Sequence, residues 1–446
     1  MKQITVYSSL VLVSFTLAGC ASTRYAALEE RVNKVLAGSA FTYTHIERYP
    51  DGMLHLSVGN FGSTNITDLS ALAKIPYAEI GIDYLDIQGW NFAADFSPLS
   101  GLRIKGLGVG GSPNLTNTAF LAGMKLQQLD LTQCYELTDL SPLRGMPLSE
   151  LKLESTKVSD LSPLVGMKLR KLNIESTAIT DLSPLAGMPL NALDICFTKV
   201  TDLSPLEGMP LGELDISFTP INDLTPLRGM PLRELIMHKT RVTDLTPIAG
   251  IEISQLYLAE TGVTNLSPLA GMPLEKLHLE DTYIRDFSPL KGAPLRWLCC
   301  LYRDDVDFSG LKDLPLQMLY VRPVTSESQL DPLRGMRTLR SINNETPETF
   351  WRAHDEGMLG KPSVITFGGG DGRTLQTAVV IRGVASSSEV VDAEHRWIRE
   401  NHPDWEKGNQ ALLTEGDRSF DRIDYQLPTG EKQTLYFDIT SKDWWR

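Results

Sequence analysis

The aspartate of Asp139-Leu140-Ser141-Pro142-Leu143 returns every 21 residues, at Asp160, Asp181, Asp202, Asp223 and Asp244, then as Asn265, Asp286 and Asp307. A fixed period in the twenties restricts a chain to a solenoid. One such unit is too small to bury its own apolar face, and stacking on its neighbours does so. A molecule built this way offers an extended surface, which suits binding better than it suits a reaction cleft.

The unit reads D-L-[ST]-P-L-x-G-M-P-L-x-x-L-x-[LI]-x-x-T-x-[VI]-[TS], most cleanly over residues 181–201. Alternation in Leu190-x-x-Leu193-x-Ile195 predicts a short strand with one buried face. Ser183-Pro184 followed by Gly187 predicts a helical turn capped by Ser, with Pro at its first position and Gly at its end. Stacked coils then share a parallel sheet and a core of Leu, Met and Val. The threonine column (Thr156, Thr177, Thr198, Thr219, Thr240, Thr261, Thr282) is expected to point inward. Its buried hydroxyls need partners, most simply the backbone of the neighbouring coil. It reads as a structural ladder with no catalytic role.

On these residues the chain resembles leucine-rich repeat proteins, and its short unit is most similar to internalin-like repeats, with Thr where those place Asn. The resemblance covers roughly residues 65–343. It implies an α/β fold, a curved solenoid with a parallel sheet on its concave face, and a role in binding a macromolecule, most simply a protein. Ile80, Leu107 and Leu129 read as the first central strand positions, and Leu298, Leu319 and Ile342 as the last. At a strand spacing near ~4.8 Å, about 13 such coils span on the order of 60 Å.

Residues 1–19 carry one early charge, Lys2, and then an apolar run too short for a permanent membrane span, as in an export signal. Leu17-Ala18-Gly19-Cys20 resembles the lipobox of bacterial lipoproteins, which implies cleavage before Cys20 and lipid on its sulfur. Acyl chains there would hold the chain on a membrane of the cell envelope. Ala21 in the next position favours an outer membrane by the same resemblance.

Residues 20–64 are expected to form the lipid-anchored N-terminal segment and cap, with a helix over 26–37 and a hairpin around Pro50-Asp51-Gly52. Residues 344–360 are expected to cap the other end, Phe350 and Trp351 plugging the last coil. Phe367-Gly368-Gly369-Gly370-Asp371-Gly372 reads as a linker or turn, without the Gly-Lys-Ser/Thr of a phosphate loop. Residues 361–446 read as a small α+β domain. It would hold a strand over 377–382, a helix from Ser386 to about Asn401, and a hairpin of 419–427 with 433–439. The segment 436–441 resembles the end of a small bacterial α+β module of unassigned function.

The net charge of −13 disfavours nucleic acid and anionic lipid and suits cationic partners. Of the five cysteines, Cys134 and Cys300 fall in core columns. Cys196 and Cys299 fall on the exposed strand face, too many coils apart to bridge, so no disulfide is expected.

Residues between the strand leucines form the readable surface. The first two coils look bare (Gly81, then Gly106, Gly108, Gly110), and the next are acidic, with Glu150, Glu154, Glu175, Asp194, Glu213 and Asp215. Later coils carry Ile236, His238, Tyr257, His278, Trp297, Met318, Tyr320 and Arg322, residue types common at interface hot spots. These eight are the candidate binding residues. The alternative is that their rings pack on one another or on the C-terminal domain. No catalytic, cofactor or metal site is read from the sequence. His238 and His278 sit two coils apart, and no kinase loop or His-Arg-Asp segment is present. Two rival roles stay open: an envelope spacer whose C-terminal domain binds, and an enzyme with its site in that domain.

Overall fold

The computed structural model describes residues 25–59, 66, 68–88, 95–301, 305–322, 328–355, 366–369, 379–382, 397, 406–415, 418–426 and 432–438. The export segment 1–19, the lipid site Cys20 and nearly all of the 386–401 helix lie outside these residues. Among the described residues, the strands of the long sheet within each unit are ordered as in the sequence. The chain divides into two compact units, Met1–Met272 and Pro273–Arg446.

In the first unit, helix α1 (Ala26–Leu36) precedes an antiparallel hairpin of β1 (Tyr43–Arg48) and β2 (Leu54–Gly59). Parallel strands follow: β3 (Tyr84–Gln88), β4 (Gly106–Gly108), β5 (Gln128–Asp130), β6 (Glu150–Lys152), β7 (Lys171–Asn173), β8 (Ala192–Asp194), β9 (Glu213–Asp215), β10 (Glu234–Ile236) and β11 (Gln255–Tyr257). Their central leucines align from Leu56 and Leu85 through Leu107 to Leu256. Ile80 is therefore not a strand centre. It ends the short helix α2 (Tyr77–Ile80), and Leu85 takes the place expected for it. Gly81 likewise lies off the sheet, ending α2 at φ 78°.

The repeat columns have clear physical causes. Leu185, Leu190, Ile195 and Val200 are fully buried, and each such side chain contributes roughly 1.5–3 kcal/mol. The turn opposite the strand is a short 3-10 helix, Ser183–Leu185, and Gly187 leaves it at φ 72°. Serine is not its cap. Asp181 Oδ1 accepts the Ser183 backbone N–H at 2.8 Å, and the Ser183 hydroxyl also donates to Asp181. The same Asp-to-Ser or Asp-to-Thr bond recurs in neighbouring coils. This gives the recurring aspartate a structural reason.

The threonine column is buried, but its bonds stay within each coil. Thr198 Oγ1 donates to the Ile195 carbonyl at 2.7 Å, and six other column threonines bond in the same way, three residues back. The residue before each threonine is left-handed, as at Ser176 (φ 54°) and Phe197 (φ 55°). That turn folds the hydroxyl back onto the strand just completed, out of reach of the next coil.

The second unit contains β12 (Lys276–Leu279), β13 (Trp297–Leu301), β14 (Met318–Arg322) and β15 (Ser341–Ile342), parallel and in register. Helix α3 (Pro347–Asp355) buries Phe350 and Trp351. A separate five-stranded sheet follows, ordered β16-β17-β20-β19-β18. Its strands are β16 (Thr366–Gly369), β17 (Val379–Arg382), β18 (Glu406–Glu415), β19 (Arg418–Gln426) and β20 (Lys432–Asp438). The expected hairpin is β19 with β20. Two readings are corrected. Phe367-Gly368-Gly369 is strand, paired antiparallel with β17, and β18 is a long strand that the sequence reading missed.

Candidate functional site: the outward face of the sheet

The glycines of the early coils make room for a ring. A Cβ on Gly106 would lie 2.0 Å from Tyr84 Cδ2. Tyr84 stacks on His55 at 4.3 Å between ring centres, and His55 stacks on Tyr49 at 4.1 Å. The surface read as bare is thus covered by aromatic rings.

A groove follows on β6 to β10, lined among others by Glu150, Lys152, Asp194, Asp215, Glu234 and Ile236. Strand register builds its floor. Asn173 pairs with Asp194 and Asp194 with Asp215, so side chains 21 residues apart become neighbours. Asp194 Oδ1 accepts the Cys196 N–H at 2.9 Å, and Asp215 Oδ1 accepts the Ser217 N–H at 2.8 Å. One oxygen of each thus closes the strand end, a structural role. The Cys196 thiol and both carboxylates lie within 4.8 Å of one another. Cys196, expected on an exposed face, is buried beneath them.

Glu175, two residues beyond β7, is only 6% exposed, and its carboxylate has no hydrogen-bond partner among the described residues. Burial, then the charges of Asp194, Glu154 and Asp215, lift its pKa to about 7. Burial, then Asp215, lifts Asp194 to about 7 as well. Asp215 and Glu154 are also raised, chiefly by burial. Lys152 is engaged with Asp130 at 3.3 Å and acts on Glu154, whereas the charges acting on Glu175 and Asp194 are all negative. The groove therefore holds a negative potential that a cation would relieve.

Of the eight candidate binding residues, Ile236, His238 and Tyr257 lie in the first unit, half-buried. His238 Nδ1 accepts the Ala259 N–H at 3.2 Å, which places the imidazole proton of the neutral ring on Nε2. Its ring meets Tyr257 edge-on at 6.0 Å. In the second unit His278 meets Trp297 edge-on at 5.6 Å, and Trp297 meets Tyr320 at 5.7 Å. Tyr320 donates to Asn344 Oδ1 at 2.9 Å. Met318 is 40% exposed, and the Arg322 backbone belongs to β14. Within each unit the rings pack on one another and keep part of their surface open.

Sequence reading missed the raised pKa values of the acidic groove, because they depend on burial and on neighbours one repeat away. It also missed a second donor cluster. His278, Glu280 and Cys299 bring an imidazole nitrogen, a carboxylate oxygen and a sulfur within 4.8 Å of one another.

No family model and no curated protein matches this sequence. Among solved structures it is similar to an internalin C2 from Listeria monocytogenes str. 4b F2365, at 24% identity over 56% of this chain and 81% of that one, with a TM-score of 0.29. The functional domain of InlJ from Listeria monocytogenes, which includes a cysteine ladder, is 16% identical over 84% of this chain and 88% of its own, with a TM-score of 0.38. The APL1 leucine-rich repeat domain is 13% identical over 64% and 87%, also at 0.38. The leucine-rich repeat architecture of this chain stands on its own period and strand register.

Proposed function

We propose that this chain is an exported protein, lipid-anchored at Cys20 in the cell envelope, that holds a protein partner against the outward face of its sheet. A lysine or arginine of the partner enters the groove over Glu175, Asp194 and Asp215. Ile236 and the ring clusters supply apolar contact around the charged contacts, the usual division at an interface. The observation that carries this reading is the groove in which buried Glu175 and half-buried Asp194 and Asp215 lie together, with only negative charges acting on Glu175 and Asp194. Such a set costs stability when empty and gains by taking a cation from a partner.

The test is a crosslinking pull-down from native membranes with the intact chain beside Glu175→Gln/Asp194→Asn and Trp297→Ala/Tyr320→Ala. A partner captured by the intact chain and lost with the first variant supports the groove. Loss with the second alone places the contact on the rings. Ring-on-ring packing in the second unit favours one other reading, in which the repeats are a spacer and the C-terminal domain binds. Deleting 361–446 separates the two: a spacer loses its partner and a sheet-face binder keeps it.

A further inference from the structure

The second unit places three chemically different metal-ligand side chains on one patch of sheet. His278 in β12 and Cys299 in β13 are direct register partners. Parallel strands stand about 4.8 Å apart, so a shared register position brings their side chains side by side. Glu280 lies in the turn that follows β12, two residues beyond His278. His278 Nε2 and Glu280 Oε2 are 3.2 Å apart, and the Cys299 sulfur lies within 4.8 Å of both. Cys299 and His278 are half-buried and Glu280 is exposed, so an ion has a path in from solvent. Trp297 stands edge-on to the imidazole and restrains its ring.

We propose that His278, Glu280 and Cys299 form a site for one divalent transition-metal ion, with zinc the best fit. Zinc takes imidazole nitrogen, thiolate sulfur and carboxylate oxygen at roughly 2.0–2.3 Å, which sets donors of a tetrahedral ion about 3.3–3.8 Å apart. The donors here already lie within 4.8 Å of one another, close to that spacing. A neutral imidazole, a thiolate and a carboxylate supply two negative charges, matching the ion. The mixed set with a sulfur disfavours calcium and magnesium, which take oxygen ligands. Three protein donors leave a fourth position for water or for a donor from outside. Binding displaces the thiol proton to solvent and involves no redox change. The Cys299 sulfur, within 4.8 Å of both donor atoms, makes this a three-donor set rather than an ion pair of His278 and Glu280 alone.

This site is independent of partner capture and is tested without a partner. The full chain, reduced and freed of metal, is titrated with Co²⁺, whose thiolate charge-transfer absorption reports sulfur ligation. The expected result is one ion per chain, displaced by Zn²⁺. Cys299→Ser abolishes the band. His278→Asn and Glu280→Gln each weaken binding by at least ~10-fold, since loss of an outer supporting group already costs that much. Circular dichroism of each variant confirms that the fold is kept, and Glu280→Gln, altered at an exposed position, keeps the test open if another variant misfolds. Cys196→Ser, at the other thiol beside carboxylates, leaves the band in place. The proposal is overturned if the intact chain shows no sulfur-ligated Co²⁺, if the band survives in Cys299→Ser, or if it disappears in Cys196→Ser.

Discussion

Replacing Asp194 by Asn should stabilise the middle coils, and the gain should grow with pH. Asp194 titrates near 3.8 when free and at about 7 in the fold, where burial and then Asp215 oppose its charge. The native state therefore holds a proton that the unfolded chain has released, and stability falls as pH rises between the two values. Above about pH 7 the penalty is complete, of order 4 kcal/mol by the pKa difference alone. Asparagine keeps the Oδ1 acceptor for the Cys196 N–H and removes the charge. Part of the penalty is repulsion shared with Asp215 and Glu175, so we expect a gain of about 2–4 kcal/mol near pH 8 and well under ~1 kcal/mol near pH 4. Hydrogen exchange suits a solenoid, which opens locally, and the gain should slow exchange of the β8 and β9 amides by on the order of 30-fold or more near pH 8. Equal protection in variant and parent near pH 8 would refute the reasoning. So would protection of the parent that rises with pH after correction for intrinsic exchange.

Further outcomes are expected elsewhere. Gly106→Ala drives a methyl to 2.0 Å from the Tyr84 ring, and overpacking of this kind costs typically ~1–3 kcal/mol, measurable as a lower melting temperature. Thr198→Val removes the hydroxyl donor to the Ile195 carbonyl, which keeps the Thr198 N–H at 3.2 Å, and should cost about 0.5–1.5 kcal/mol in urea unfolding of the first unit, with Thr198→Ser recovering most of it. Asp181→Ala removes both bonds to Ser183 and lowers thermal stability. The Asp181 pKa is depressed by its bonds to Ser183, so its contribution is present above the free-carboxyl value and is lost as pH falls through the lower folded value. The difference between Asp181→Ala and parent should therefore vanish in strong acid, which melting curves across pH will check. A basic partner residue bound over Glu175 and Asp194 should expel protons, so partner affinity should fall as pH drops below about 7, as a binding titration at two pH values can show.

The 21-residue period carried most of the fold, because each leucine column has one physical use and repetition removes ambiguity. It failed where the repeat is irregular. The first coil spends its extra length on α2, so Leu85 and not Ile80 lies on the sheet. General preference favours serine as the cap, yet the observed bond runs from the Ser183 N–H to the aspartate two residues earlier. Threonine bonding was misassigned because the left-handed residue before it has no glycine to announce it. In the C-terminal domain Gly368 and Gly369 disguised β16, and the polar β18 lacks alternation strong enough to be read. The acidic groove and the His278–Glu280–Cys299 cluster were present as letters. Their chemistry emerges only when register lays one repeat beside the next, as Asp194 beside Asp215 and His278 beside Cys299.

The most direct measurement is site-specific photocrosslinking in cells that carry the native envelope. A photoreactive residue is placed at Ala192, in the groove, or at Ala186, on the exposed turn across the coil. A specific adduct at Ala192, absent at Ala186 and lost when Asp194 is Asn, is the expected result. Adducts at Ala186 with none at Ala192 would contradict a partner seated on the sheet face.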